Sequence, residues 1–197
     1  MNLCQECGLC CNGVMFHTVR LQPADSPKAL AALGLRLKRK KGAQYILQPC
    51  PAWRDCQCSI YAARPERCRL FECRQLQRVA AGETTEAAAL GKIRDVQRRV
   101  AQLEALLARA GRTDAKKPLA KRCEKIMAEP LDASSDQAAI TLRATLTRAM
   151  QELDAVLDAD FRLLPSGASG AVIEPAAPPA QICGCREGSR SHVLHPS

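Results

Sequence analysis

Cysteine supplies the chemistry that this chain can do, and most of it lies near one end. Cys4, Cys7, Cys10 and Cys11 form a CxxCxxCC array, and Cys50, Cys56, Cys58, Cys68 and Cys73 follow. Thiolates two CxxC steps apart can converge on one ion from a tight turn, and the binding energy then replaces apolar burial that a small domain lacks. Cys10 and Cys11 are adjacent, so their side chains diverge and seldom face the same ion. With four ligands per tetrahedral ion, nine thiols suit two ions or one polynuclear cluster better than a single ion. A CxxCxxC run also begins the bacterial ferredoxin pattern, which continues after three residues with Cys-Pro. Here Cys11-Asn12-Gly13-Val14 follows, and Cys50-Pro51 lies far downstream, so iron–sulfur redox chemistry is the second reading.

The second cysteine group extends the motif. Cys50-Pro51-Ala52-Trp53, Cys58-Ser59-Ile60-Tyr61 and Arg64-Pro65-Glu66-Arg67-Cys68-Arg69-Leu70-Phe71, with the N-terminal array, resemble the CxxCxxCC family of zinc- or iron-chelating proteins, also called the YkgJ-type cysteine cluster family. The resemblance spans about residues 1–75 and implies a bacterial metal-chelating domain. Position by position it carries over to Cys4, Cys7, Cys10, Cys11, Cys50, Cys58 and Cys68, with Cys73 as an added ligand. Cys56 is an extra thiol, and His17 is a further candidate because imidazole completes many Cys3His sites. Arg64 and Arg69 can donate to thiolate sulfurs around an anionic centre. Tyr61 and Phe71 are expected to pack around it.

The rest of the chain must position these groups. Only 3% of residues are aromatic, and Trp53 is the sole tryptophan, so the head has little with which to build a core and needs staples. No basic segment followed by an apolar one opens the sequence, which gives the expectation of a soluble cytoplasmic protein with reduced thiols. Net charge is +8 over residues 1–81, +4 over 82–130 and −3 over 131–197. Two tetrathiolate zinc sites would carry about four net negative charges, and much of the head's basicity can balance them. Arg36, Lys38, Arg39, Lys40 and Lys41 lie apart from the cysteines and read as a solvated helix end, ahead of a phosphate-binding patch. A nucleic-acid or protein adaptor with structural zinc is therefore the least favoured of three readings. No Ser/His/Asp set, phosphate-cradling glycine loop or HExxH pair is present, so an enzyme is not expected.

Three parts are expected: a metal-chelating head (1–81), a helical hairpin (82–164) and a flexible Pro/Ala/Gly/Ser-rich tail (165–197), giving an α+β fold that is mostly α. In the head, Lys28–Arg39 reads as a helix from Leu30, Leu33 and Leu37, Tyr45–Leu47 as a strand, and Pro65 to Val79 as one helix. Ile93, Val96, Val100, Leu103 and Leu107 form one seam, and Leu142, Leu146, Met150, Leu153 and Leu157 another. Two such narrow stripes should pack antiparallel. Pro118–Glu129 reads as a shorter helix, and Ser134 and Ser135 as caps. Cys123 reads as a small buried hydrophobe. The tail's Cys183 and Cys185, with His192 and His195 in reserve, are candidate late ligands.

Overall fold

A computed structural model describes residues 3–54, 57–130 and 136–163, all within one compact unit. Cys56, Ser134, Ser135, Cys183, Cys185, His192, His195 and the expected linker lie outside the described residues. The fold is α+β and mostly helical. Among the described residues no helix is long and apolar enough to cross a membrane.

Two long helices frame it. Helix α5 (Glu86–Arg109) starts at Thr85, whose hydroxyl accepts from the Ala88 N–H, and α7 (Gln137–Asp160) starts at Asp136, whose carboxylate accepts from the Ala138 N–H. Such caps satisfy amides that have no partner within the helix. The two pack against each other, with the shorter α6 (Leu119–Met127) beside them. Ala89, Ile93, Val96, Leu103 and Leu107 are buried on α5, Leu146, Met150, Leu153 and Leu157 on α7, and Cys123 on α6. Both expected seams are thus core stripes, although Val100 and Leu142 are only half-buried. Leu3, Leu9, Val14 and Met15 from the N-terminal segment enter the same cluster. Charge fastens its rim: buried Arg122 holds Glu104 with two N–H groups, and Arg143 donates to the Met127 carbonyl at the end of α6 and to the Glu129 carbonyl beyond it.

The other layer is small. Strands β1 (Thr18–Arg20), β2 (Leu37–Lys40) and β3 (Ala43–Leu47) form an antiparallel sheet in the order β1-β3-β2, and β4 (Trp53–Arg54) pairs with β5 (Gln57–Cys58). Its core is Leu21, Leu30, Leu35, Ile46 and Ala52. Two expectations fail here. The helix foreseen through Arg39 is α2 (Pro27–Ala32), which ends at Gly34 with φ +84°, and Leu37 to Lys40 is strand. A turn at Lys41-Gly42, both with positive φ, joins β2 to β3 as a two-residue hairpin loop. The helix foreseen from Pro65 to Val79 is two helices, α3 (Glu66–Leu70) and α4 (Arg74–Ala80), broken where Phe71 and Cys73 adopt extended backbone.

Candidate metal centre

The CxxCxxCC array is two consecutive turns. Helix α1 (Leu3–Cys7) puts Cys4 and Cys7 three residues apart, on one face of one turn. Gly8 ends it with φ +64°, and its carbonyl accepts from the Cys11 and Asn12 N–H groups at 2.8 and 2.9 Å, which folds Cys10 and Cys11 into the next turn. Glycine is required at position 8 twice over. Its φ disfavours a side chain, and a Cβ there would stand 2.5 Å from a ring carbon of Trp53. Buried Leu3 and Leu9 root the array in the helical core, and the Gln97 amide donates to the Glu6 carbonyl at 2.8 Å.

The later cysteines arrive on separate supports. The Cys50 N–H donates to the Cys11 carbonyl at 2.7 Å, which joins the two motifs directly. Cys58 pairs with Trp53 across β4 and β5, and Ser59 bonds back to the Ala52 carbonyl through both its N–H and its hydroxyl. Cys68 lies in α3, whose Glu66 N–H donates to Asp25 Oδ1 at 2.9 Å while Asp25 Oδ2 accepts from the Gln22 N–H at 2.7 Å. Cys73 is the N-cap of α4, next to Phe71, whose ring meets Phe16 edge-on with centroids 5.0 Å apart.

Mutual charge effects link these thiols. Burial pushes Cys10 strongly up, and Cys7, Cys11, Cys4 and Cys73 push it further. Burial also raises Cys7 to about 12, aided by Cys73 and Cys4, and raises Cys4, aided by Cys73. Cys11 goes to about 12 through burial, then through Cys50, Cys68 and Cys58, with Cys4 a lesser contributor. Burial raises Cys68 to about 11, with Cys50 and Cys58 adding, and raises Cys50, with Cys58 adding. Around Cys10 the acting thiols are Cys7, Cys11, Cys4 and Cys73, and around Cys11 they are Cys50, Cys68, Cys58 and Cys4, so two overlapping groups meet at the Cys10-Cys11 pair. Cys4 is exposed as a residue although its sulfur is desolvated. Cys7, Cys10, Cys11, Cys50, Cys58, Cys68, Cys73 and Cys123 are free thiols. Among the described residues no three Cys, His, Asp or Glu side chains are already disposed as ligands of one ion, so closing either group requires side-chain rotation.

Two guanidinium groups oppose the thiols' neutral state. Arg64 favours the thiolates of Cys4 and Cys68, one in each group, and Arg36 favours that of Cys50. Arg64 is fixed by a 3.1 Å hydrogen bond to the Tyr61 carbonyl and by stacking 3.6 Å from the Tyr61 ring centroid. Tyr61 is exposed, so its use is to hold Arg64 and not, as expected, to fill the core. Arg69 is exposed. His17 is also exposed and lines a cleft of about 270 Å³ with Leu119, Met150, Asp154 and Arg162, whose lining contains no cysteine. Sequence reasoning missed Arg36 and Asp25. Arg36 belongs to a basic run that looks uniform in sequence, and only the fold turns its guanidinium to the Pro49 carbonyl, beside Cys50.

Residues 3–94 match the model of the CxxCxxCC family, described as "Putative zinc- or iron-chelating domain". The matched segment runs through the sheet and the thiol array into the first turns of α5. No curated protein and no solved structure shows significant similarity to the chain.

Proposed function

We propose that the CxxCxxCC domain holds two zinc or iron ions, one on Cys4, Cys7, Cys10 and Cys73 and the other on Cys11, Cys50, Cys58 and Cys68. What supports this reading is that Cys7, Cys4 and Cys73 act on Cys10 while Cys50, Cys68 and Cys58 act on Cys11 ahead of Cys4, and that the Cys50 N–H donates to the Cys11 carbonyl. A cation inverts the protonation logic of clustered thiols: binding displaces their protons, and the cation neutralises the thiolates. Soft sulfur donors in fours suit zinc and iron over hard cations. Arg64 and Arg36 offset the negative charge that remains, and Arg64 orients thiolates from both groups.

Elemental analysis of the full chain, purified without oxygen, should find about two ions per molecule. Cys10→Ser and Cys11→Ser should each lose one ion, from different groups, and cobalt substitution should give each variant a different charge-transfer spectrum. A single ion in the parent protein, or identical losses in both variants, would overturn the two-site reading. Elemental analysis decides between zinc and iron, and a broad brown absorption marks an iron–sulfur cluster.

A further inference from the structure

The two faces of the three-stranded sheet are chemically opposite. Val19, Leu37 and Ile46 share the face packed on the small core. The antiparallel register sets Arg20 opposite Tyr45, Tyr45 opposite Lys38, and Lys40 opposite Ala43 on the other face. Arg20, Lys38 and Lys40 are exposed, and Tyr45 is half-exposed and belongs to neither core cluster. The three strands and the hairpin turn contain no Asp or Glu. Among the described residues none of Arg20, Lys38, Arg39, Lys40 or Lys41 has an ion-pair partner. A row reading cation, aromatic, cation thus crosses a sheet with no charge to neutralise it.

We propose that this face binds single-stranded nucleic acid, with a base stacked on Tyr45 and the phosphodiester backbone held by Arg20, Lys38 and Lys40. A stacking aromatic set among unpaired cations is how sequence-tolerant single-strand binders combine base contact with charge. Paired bases in a duplex leave no face free for Tyr45. A membrane surface fits less well, because the hairpin tip Lys40-Lys41-Gly42-Ala43 offers no large apolar side chain to insert. Lysines also blunt an edge strand against unwanted pairing, which accounts for Lys38 and Lys40 on β2. It does not account for Tyr45 on the central strand's solvent face. The proposal is independent of the metal reading.

The test uses the full-length, metal-loaded chain and a labelled oligo(dT) or oligo(U) of about 12 nucleotides, followed by anisotropy across a salt series. Tyr45→Ala should weaken binding roughly five- to 150-fold at every salt concentration and leave the salt slope unchanged. Lys38→Gln with Lys40→Gln should lower the slope by about 1.4, for two phosphate contacts on a single strand. Tyr45→Phe should bind as the parent does. Tyr45→Leu should weaken binding as alanine does, and it replaces the alanine variant should that one fail to fold. Metal content and melting temperature, measured on each variant, separate lost binding from a lost fold. Absence of parent binding at low salt, equal binding to a duplex of the same length, unchanged affinity in Tyr45→Ala and Tyr45→Leu, or preference for phosphatidylserine vesicles would each overturn the proposal.

Discussion

The two thiol groups stand on unequal ground. Cys7, Cys10 and Cys73 of the first group pack against the helical core, where seventeen buried residues make one cluster. Cys50 of the second packs against the sheet core, where the cluster has five. Apolar burial contributes on the order of 25 cal/mol per Å², so the larger core can hold its thiols in place unaided, whereas five small or aliphatic residues cannot hold a sheet and three loops. On the proposed two-site reading, the first group borrows stability from the fold and the second contributes stability to it.

Metal removal should expose that asymmetry most strongly. Structural zinc supplies roughly 10–16 kcal/mol in small cysteine sites. Chelation under reducing conditions should therefore strip amide protection from Ile46, Leu47 and Cys50 while Val96, Leu103 and Leu153 keep theirs. Hydrogen exchange measured residue by residue checks it. Protection lost equally in sheet and helices would break the comparison, and protection lost in neither would remove the metal from the account of folding.

Matched core truncations come next. Leu103 (0% exposed) and Ile46 (1% exposed) are the same kind of buried aliphatic in the two cores. Each alanine substitution should cost about 2–5 kcal/mol on chemistry alone. Leu103→Ala should lower the denaturant midpoint of the helices with metal content unchanged. Ile46→Ala should instead speed loss of the ion held by the second group to a competing chelator. Equal metal retention in both variants would mean that the sheet core does not support its thiols.

Gly8 links the two supports, since its backbone lies against Trp53 of β4. Gly8→Ala combines positive φ with a 2.5 Å approach to the ring, and should cost about 1–3 kcal/mol. Both ions should be held more weakly, because the residue sits between the groups. Thermal melting together with chelator competition measures it. A variant as stable as the parent would show that the ring moves aside at little cost.

What was legible in the sequence follows the same division. Ile93, Val96, Leu103 and Leu107 announce α5 because a helix with one buried stripe writes its period along a single continuous segment. Leu30, Leu33 and Leu37 mislead for the complementary reason: three leucines at helical spacing serve two elements, with Leu30 in α2 and Leu37 in β2, and only Gly34 between them marks the break. In the Pro65–Val79 stretch, local propensity favours one helix, but Phe71 turns to Phe16, a contact made across more than fifty residues, and Cys73 opens α4 from extended backbone. Adjacent Cys10 and Cys11 can be seen to diverge from sequence alone. Which distant thiols each one faces cannot, because nothing in the spacing ties Cys11 to Cys50 before the backbone hydrogen bond between them is drawn.

The smallest effect belongs to the surface charges of the helical layer. Arg99 and then Arg98 hydrogen-bond the Asp95 carboxylate at 3.0 and 3.1 Å and hold its pKa below the usual 3.8. A lowered carboxyl pKa contributes stability that is present above the unfolded value and lost as pH falls through the folded one, so its window lies below about pH 4. Asp95 is partly exposed, and exposed i,i+4 pairs contribute about 0.3–0.5 kcal/mol at low salt and less when screened. Asp95→Asn should therefore shift the helical melting temperature by no more than a degree or two at neutral pH, and flatten its decline only in the most acid range. A loss comparable to that of Leu103→Ala would mean that charge, and not apolar burial, holds α5 against α7, and the contrast between a self-supporting helical layer and a metal-dependent sheet would lose its basis.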